Sequence, residues 1–138
     1  MEIGGEMRGR GVRPDGQPWM VELDLSDIAA APGEPACTRV ALIDAALATS
    51  GDFVRRRGQI SHLIDGRTGK PLDGRLSGVA VLAKTCIDAD GWATALFALG
   101  EVDGMALAER EELAVVFATR TPDGARATLS SKAQAMAD

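Results

Sequence analysis

Asp90 and Thr94 stand four residues apart in the segment Asp90-Gly91-Trp92-Ala93-Thr94-Ala95. In a helix that spacing puts a carboxylate and a hydroxyl on one face, where both oxygens can converge on one hard cation, Mg2+ rather than Zn2+. Two protein oxygens do not complete an octahedron, so phosphate oxygens, water or another segment would supply the rest. The same pair also has a structural reading, with Asp90 favoured by the helix dipole and Thr94 back-bonded to its own helix. His62, in Ser61-His62-Leu63-Ile64-Asp65, is the chain's sole histidine. Any imidazole acting as general base or proton shuttle therefore falls on it. A strand histidine beside leucine and isoleucine is equally a packed residue with one satisfied hydrogen bond. In the loop that follows, Asp65 and Arg67 can form an ion pair that fixes the chain's course. Thr49-Ser50-Gly51-Asp52 can present backbone N–H groups to an anion, or be an ordinary turn.

These side chains need elements to hold them. Arg13-Pro14-Asp15-Gly16-Gln17-Pro18 is turn chemistry and is expected to join two strands as a hairpin. Trp19 to Leu25 alternates, with Trp19, Val21, Leu23 and Leu25 on one side and Glu22 and Asp24 on the other, as in a half-buried antiparallel strand. Residues Ser26 to Pro35 read as a loop, and Thr38 to Ile43 and Ala46 to Thr49 as further strands. Ile60 to Ile64 reads as a strand leading into the Asp65-Gly66-Arg67-Thr68-Gly69-Lys70-Pro71 loop. Leu76 to Leu82 is a strand with Val79 and Val81 on one face. The period then becomes helical from Asp88, the expected cap, to Leu99, with Gly100 as the stop and a second helix over Glu101 to Glu112. Leu113 to Ala118 is a buried strand, and the tail from Ala125 is expected to add an edge strand before fraying. Strands, a helical pair and a returning strand imply an α+β fold, a mostly antiparallel sheet with helices packed on one face.

The 138 residues suit a single domain over residues 1–138, and 46% hydrophobic with 25% charged residues is globular composition. A net charge of −5 gives no long-range attraction for phosphate backbones, so nucleic acid is not an expected partner. The run Arg55-Arg56-Arg57 reads as a solvated turn. Cys37 and Cys86 have no neighbours of metal-binding type and read as small apolar side chains. Met1-Glu2-Ile3-Gly4-Gly5-Glu6 lacks a basic then apolar leader, and no run of 18 apolar residues occurs, so the chain as it stands is expected to be neither targeted nor membrane-spanning.

Five segments in order, Gly4-Gly5-Glu6, Arg13 to Trp19, Thr49 to Asp52, Ser61 to Pro71 and Asp90 to Gly100, together resemble the second half of the FAD:protein FMN transferases of the ApbE type. The resemblance covers nearly the whole chain. It implies an ApbE-like, T-fold-related architecture. It also implies Mg2+-dependent cleavage of FAD, transfer of FMN to a threonine hydroxyl of a target flavoprotein, and release of AMP. On that resemblance Asp90 and Thr94 are metal ligands, and His62 helps deprotonate the acceptor hydroxyl. The flavin nucleotide site would take in Gly4, Gly5, Thr49, Ser50, Gly51, Asp52, His62 and Asp65. The family's Asp-Pro-Arg-Thr-Gly pattern is Asp65-Gly66-Arg67-Thr68-Gly69 here, with glycine where proline would stiffen the loop.

Family members are roughly twice as long as the stretch matched. Their first half is expected to supply part of the flavin pocket, further metal coordination and the signal that sends the family mainly to the periplasm or an inner-membrane anchor. Three readings follow: a flavin transferase whose pocket is completed by another copy or segment, a flavin-binding module without transfer, and a structural or interaction domain. Self-association through an open sheet edge is a further expectation.

Overall fold

The strand Leu76–Ala83 is buried over its first six residues, which requires partners on both edges and cover on both faces. The computed structural model, which describes residues 1–24, 37–51, 64–72, 75–122 and 124–137, supplies both. In chain order the elements are β1 (Glu2–Ile3), β2 (Glu6–Arg8), β3 (Trp19–Asp24), β4 (Cys37–Leu42), β5 (Ala46–Gly51), β6 (Leu76–Ala83), α1 (Cys86–Arg110), β7 (Ala114–Thr121), β8 (Gly124–Leu129) and α2 (Ser131–Ala137). Among the described residues they form a six-stranded sheet in the order β1-β2-β5-β6-β7-β8 and a two-stranded sheet β3-β4, with every pairing antiparallel. The mostly antiparallel α+β architecture expected from the sequence is the one observed.

Alternation along the central strands sorts the core into two layers. Val79 and Val81 of β6 and Val115 and Phe117 of β7 face α1 and pack on Ala93, Leu96, Phe97 and Ala108. Ala80 and Leu82 point the other way, where Leu47 and Val116 meet Leu23 and Leu42 of the β3-β4 hairpin. The short α2 borders a cavity of about 140 Å³ on this second face through Ala133 and Met136.

The course of α1 follows from the sheet. Leu82 pairs with Ala114, so the chain leaves and re-enters the sheet at the same end. A straight helix as long as Cys86–Arg110 would end about 37 Å from its start and could not return. Gly100 solves this with φ 82 and ψ 174, a region essentially reserved for glycine. A Cβ on Gly104 would lie 3.0 Å from the Leu96 carbonyl oxygen, so residues 101–110 fold back against residues 86–99. The break expected at Gly100 is therefore present, within one helical element.

Several expectations change. Thr85, not Asp88, caps α1. Its Oγ1 accepts from the Asp88 amide at 3.2 Å and donates to Asp88 Oδ2 at 2.5 Å, an N-cap signalled by the Thr-x-x-acid spacing. The Arg13–Pro18 stretch is a turn, with Gly16 N donating to Arg13 O at 2.9 Å, but it does not make a hairpin. The strands it joins pair elsewhere, β2 with β5 and β3 with β4. Non-local bonds decide this: Arg8 donates from Nη1 to Asp44 O and Lys84 O, tying β2 to the two ends where β5 begins and β6 leaves. After β8 the chain forms α2 rather than fraying, capped by the buried Ser130, whose Oγ accepts from Ala133 N at 3.3 Å. The loop over Ser26 to Pro35, the Arg55-Arg57 run and most of the Ile60 to Ile64 strand lie outside the described residues.

Candidate cation and nucleotide site

Adjacent residues of a strand point to opposite faces, and β5 divides its candidate residues accordingly. Ala46 and Ala48 face α1 and pack on Ala89, all three without exposed surface. These small residues let the first arm of α1 lie close to β5. Ser50 continues that face, and its Oγ lies 2.9 Å from Thr94 Oγ1. Thr49 points the other way and lines a cavity of about 230 Å³ with Gly5, Leu23 and Val116. The structure thus joins Ser50 to Thr94 and puts the Thr49 side chain on the opposite side of the sheet.

Because the cap is Thr85, Asp90 falls in the second turn of α1, and the acid of the first turn is Asp88. Dipole stabilisation falls off beyond the first turn, so Asp88 rather than Asp90 takes that role. Asp90 is exposed, one turn before the exposed Thr94. It borders a groove of about 320 Å³ with Glu6, Arg8, Cys86 and Ile87. Gly4 and Gly5 form the β1-β2 turn at φ 67 and 103, a conformation that favours glycine. Among the described residues no three His, Cys, Asp or Glu side chains converge. One carboxylate and one hydroxyl are oxygen donors of the type that suits Mg2+, with phosphate oxygens and water needed to make up six ligands.

The Asp65 loop is built around its own carboxylate. Asp65 Oδ1 accepts from the Arg67 amide at 2.8 Å and from Arg67 Nε at 3.3 Å, so the expected ion pair forms. The Arg67 amide, above all, and the guanidinium hold the Asp65 carboxyl below its usual range. Arg67 Nη1 also reaches Asp103 Oδ2 at 3.6 Å, tethering the loop to the second arm of α1. Gly51 ends β5, while Asp52 and His62 lie outside the described residues.

Sequence reasoning missed the polar cluster around Glu101. This carboxylate accepts from Thr119 Oγ1 at 2.9 Å, Thr128 Oγ1 at 2.9 Å and Arg126 Nη2 at 2.7 Å. Partial burial pushes its carboxyl up, but the two hydroxyls and the arginine outweigh that and hold it below its ordinary 4.5. The cluster clamps the residue after the Gly100 reversal to β7 and β8. No local signal announces it, because its partners lie 18 to 27 residues away. The ladder is likewise uneven along β5: β2 covers Ala46 and Leu47 only, so among the described strands Thr49 to Gly51 pair on one edge, with β6.

A family model, that of the ApbE family, matches residues 1–117. The FAD:protein FMN transferase of Vibrio cholerae serotype O1 is 38% identical over 142 residues, covering 95% of this chain and 40% of the relative. That of Haemophilus influenzae is 38% identical over 129 residues, covering 90% and 36%. Among solved structures, the apo form of the Pseudomonas stutzeri flavinyl transferase ApbE aligns with a TM-score of 0.84 at 35% identity, covering 98% of this chain and 41% of that one. The chain spans about two fifths of the length of these relatives.

Proposed function

The chain belongs to the ApbE family, and from that membership we propose that it carries the cation and nucleotide part of an FAD:protein FMN transferase. The reaction is Mg2+-dependent: FAD is cleaved, FMN is joined by a phosphoester to a threonine of a target flavoprotein, and AMP leaves. The observation that carries this reading is that one family match runs over residues 1–117 and takes in His62 together with the Asp90 and Thr94 oxygens. In phosphoryl transfer most of the catalysis comes from positioning and charge neutralisation. Bound Mg2+ would supply the charge neutralisation at the phosphates. Asp90 and Thr94 would hold it, one as an anionic and one as a neutral ligand. His62 takes the proton of the acceptor hydroxyl. Ser50, Gly51, Asp52, Gly4, Gly5 and Asp65 border the flavin nucleotide. Thr49, facing away from α1, serves it through its backbone on the strand edge that β2 leaves uncovered.

A second copy or a further segment would close the pocket around a nucleotide that this chain itself binds. The span of two fifths of the relatives' length also supports a second reading, a flavin-binding module without transfer. The test is to incubate the chain with FAD, Mg2+ and a threonine-containing acceptor peptide, and to follow peptide mass and AMP release. Transfer lost in Asp90→Ala and His62→Ala supports the enzyme. FAD binding with neither FMN-peptide nor AMP assigns the module instead. No FAD binding at all contradicts both.

A further inference from the structure

The geometry points to Ser50 as the positioning residue for Thr94, its Oγ accepting the hydrogen bond that the Thr94 hydroxyl donates so that the Thr94 lone pairs face the cation. The inference rests on the cation reading above. A threonine hydroxyl has one proton and two lone pairs, and a cation ligand must offer a lone pair while its proton points elsewhere. In a helix, threonine divides between two rotamers because its oxygen can bond back to a carbonyl one turn earlier. The 2.9 Å contact between Ser50 Oγ and Thr94 Oγ1 selects the rotamer directed at β5. With Thr94 as donor, both of its lone pairs stay available. With Ser50 as donor, one is consumed.

The scaffold on either side brings the two hydroxyls together. Ser50 is held in β5 opposite Val79 of the buried β6. The Ala46, Ala48 and Ala89 contact below it has no exposed surface, which keeps the first arm of α1 within reach of a side chain as short as serine. The bond also joins two motifs 44 residues apart, so the strand that borders the nucleotide and the helix that holds the cation share one hydroxyl pair.

The test reads cation binding without any activity. Mn2+ is titrated into the chain and unbound Mn2+ is followed by electron paramagnetic resonance, with unfolding midpoints recorded for each variant. Ser50→Ala is expected to weaken Mn2+ binding about 10- to 100-fold, the usual effect of removing a residue that orients a ligand. Ser50→Thr, which keeps the hydroxyl, is expected to restore it to within a few-fold. Where Ser50→Ala does not fold, Ser50→Cys serves, since a thiol keeps the volume but is a weak acceptor. If Thr94→Val weakens Mn2+ binding and Ser50→Ala does not, the positioning role is overturned and the cation site stands. Equal losses in Ser50→Ala and Ser50→Thr overturn it too, because the hydroxyl is then irrelevant. Binding that is absent, or indifferent to Asp90→Ala and Thr94→Val, overturns the cation reading and this inference with it.

Discussion

Three glycines of α1 are expected to respond to alanine in three different ways, and the differences measure the reversal that folds the second arm of α1 back against the first. At Gly91 an added Cβ meets nothing within 4 Å and the backbone is helical. The only effect is the gain in helix propensity, about 0.5–1 kcal/mol. At Gly100 there is also open space, but φ is 82 and ψ 174. A side chain in that region costs about 1–3 kcal/mol, and no packing gain offsets it. At Gly104 the Cβ would lie 3.0 Å from the Leu96 carbonyl oxygen and 3.0 Å from Phe117 Cε1. One neighbour is backbone and the other a buried ring, so neither yields easily. Overpacking of about 1–3 kcal/mol then outweighs a propensity gain of about 1 kcal/mol. At about 4 °C per kcal/mol for a chain of this size, Gly91→Ala should raise the melting temperature by about 2–4 °C. Gly100→Ala should lower it by about 4–12 °C, and Gly104→Ala should lower it by up to about 8 °C. Urea unfolding followed by circular dichroism gives the same order as free energies. A Gly100→Ala variant as stable as Gly91→Ala would refute the reversal. A Gly104→Ala gain matching that of Gly91→Ala would refute the seating of the second arm on Phe117.

Two further outcomes follow from the same elements. Thr85→Ala removes the cap of α1 and should cost about 1 kcal/mol in urea unfolding, whereas Asp88→Asn, which keeps Thr85, should cost less. Glu101 has a carboxyl held below its ordinary 4.5, so its contribution is complete above that pH and is lost as pH falls through the lower folded value. Stability curves of the wild type and Glu101→Gln should therefore converge on acidification, and a constant gap between them would contradict the clamp.

Legibility in the sequence followed the range of the forces involved. Strands such as Leu76–Ala83, the break at Gly100 and the Asp65–Arg67 pair are set by alternation, backbone freedom and near neighbours, and all three could be read directly. The hairpin expected around Asp15-Gly16 failed because a turn fixes a change of direction, while pairing depends on long-range bonds such as those of Arg8. The start of α1 lies at Thr85 rather than Asp88, and Thr85-Cys86-Ile87-Asp88 carries the spacing that signals it. At the candidate site, Asp90 and Thr94 were legible as a helical pair. The division of Thr49 from Ser50 is also readable, since neighbours in a strand face apart, but only where those letters are taken as strand rather than turn. The Ser50 partnership and the Glu101 cluster needed the tertiary fold.

A cation-dependent nucleotide site built on Asp90 and Thr94 is tested most directly by isothermal titration of FAD with and without Mg2+, repeated with Asp90→Ala. Heat that depends on Mg2+ and disappears in Asp90→Ala is the expected result. Binding that ignores both the metal and the substitution, or no detectable heat under any condition, would contradict it.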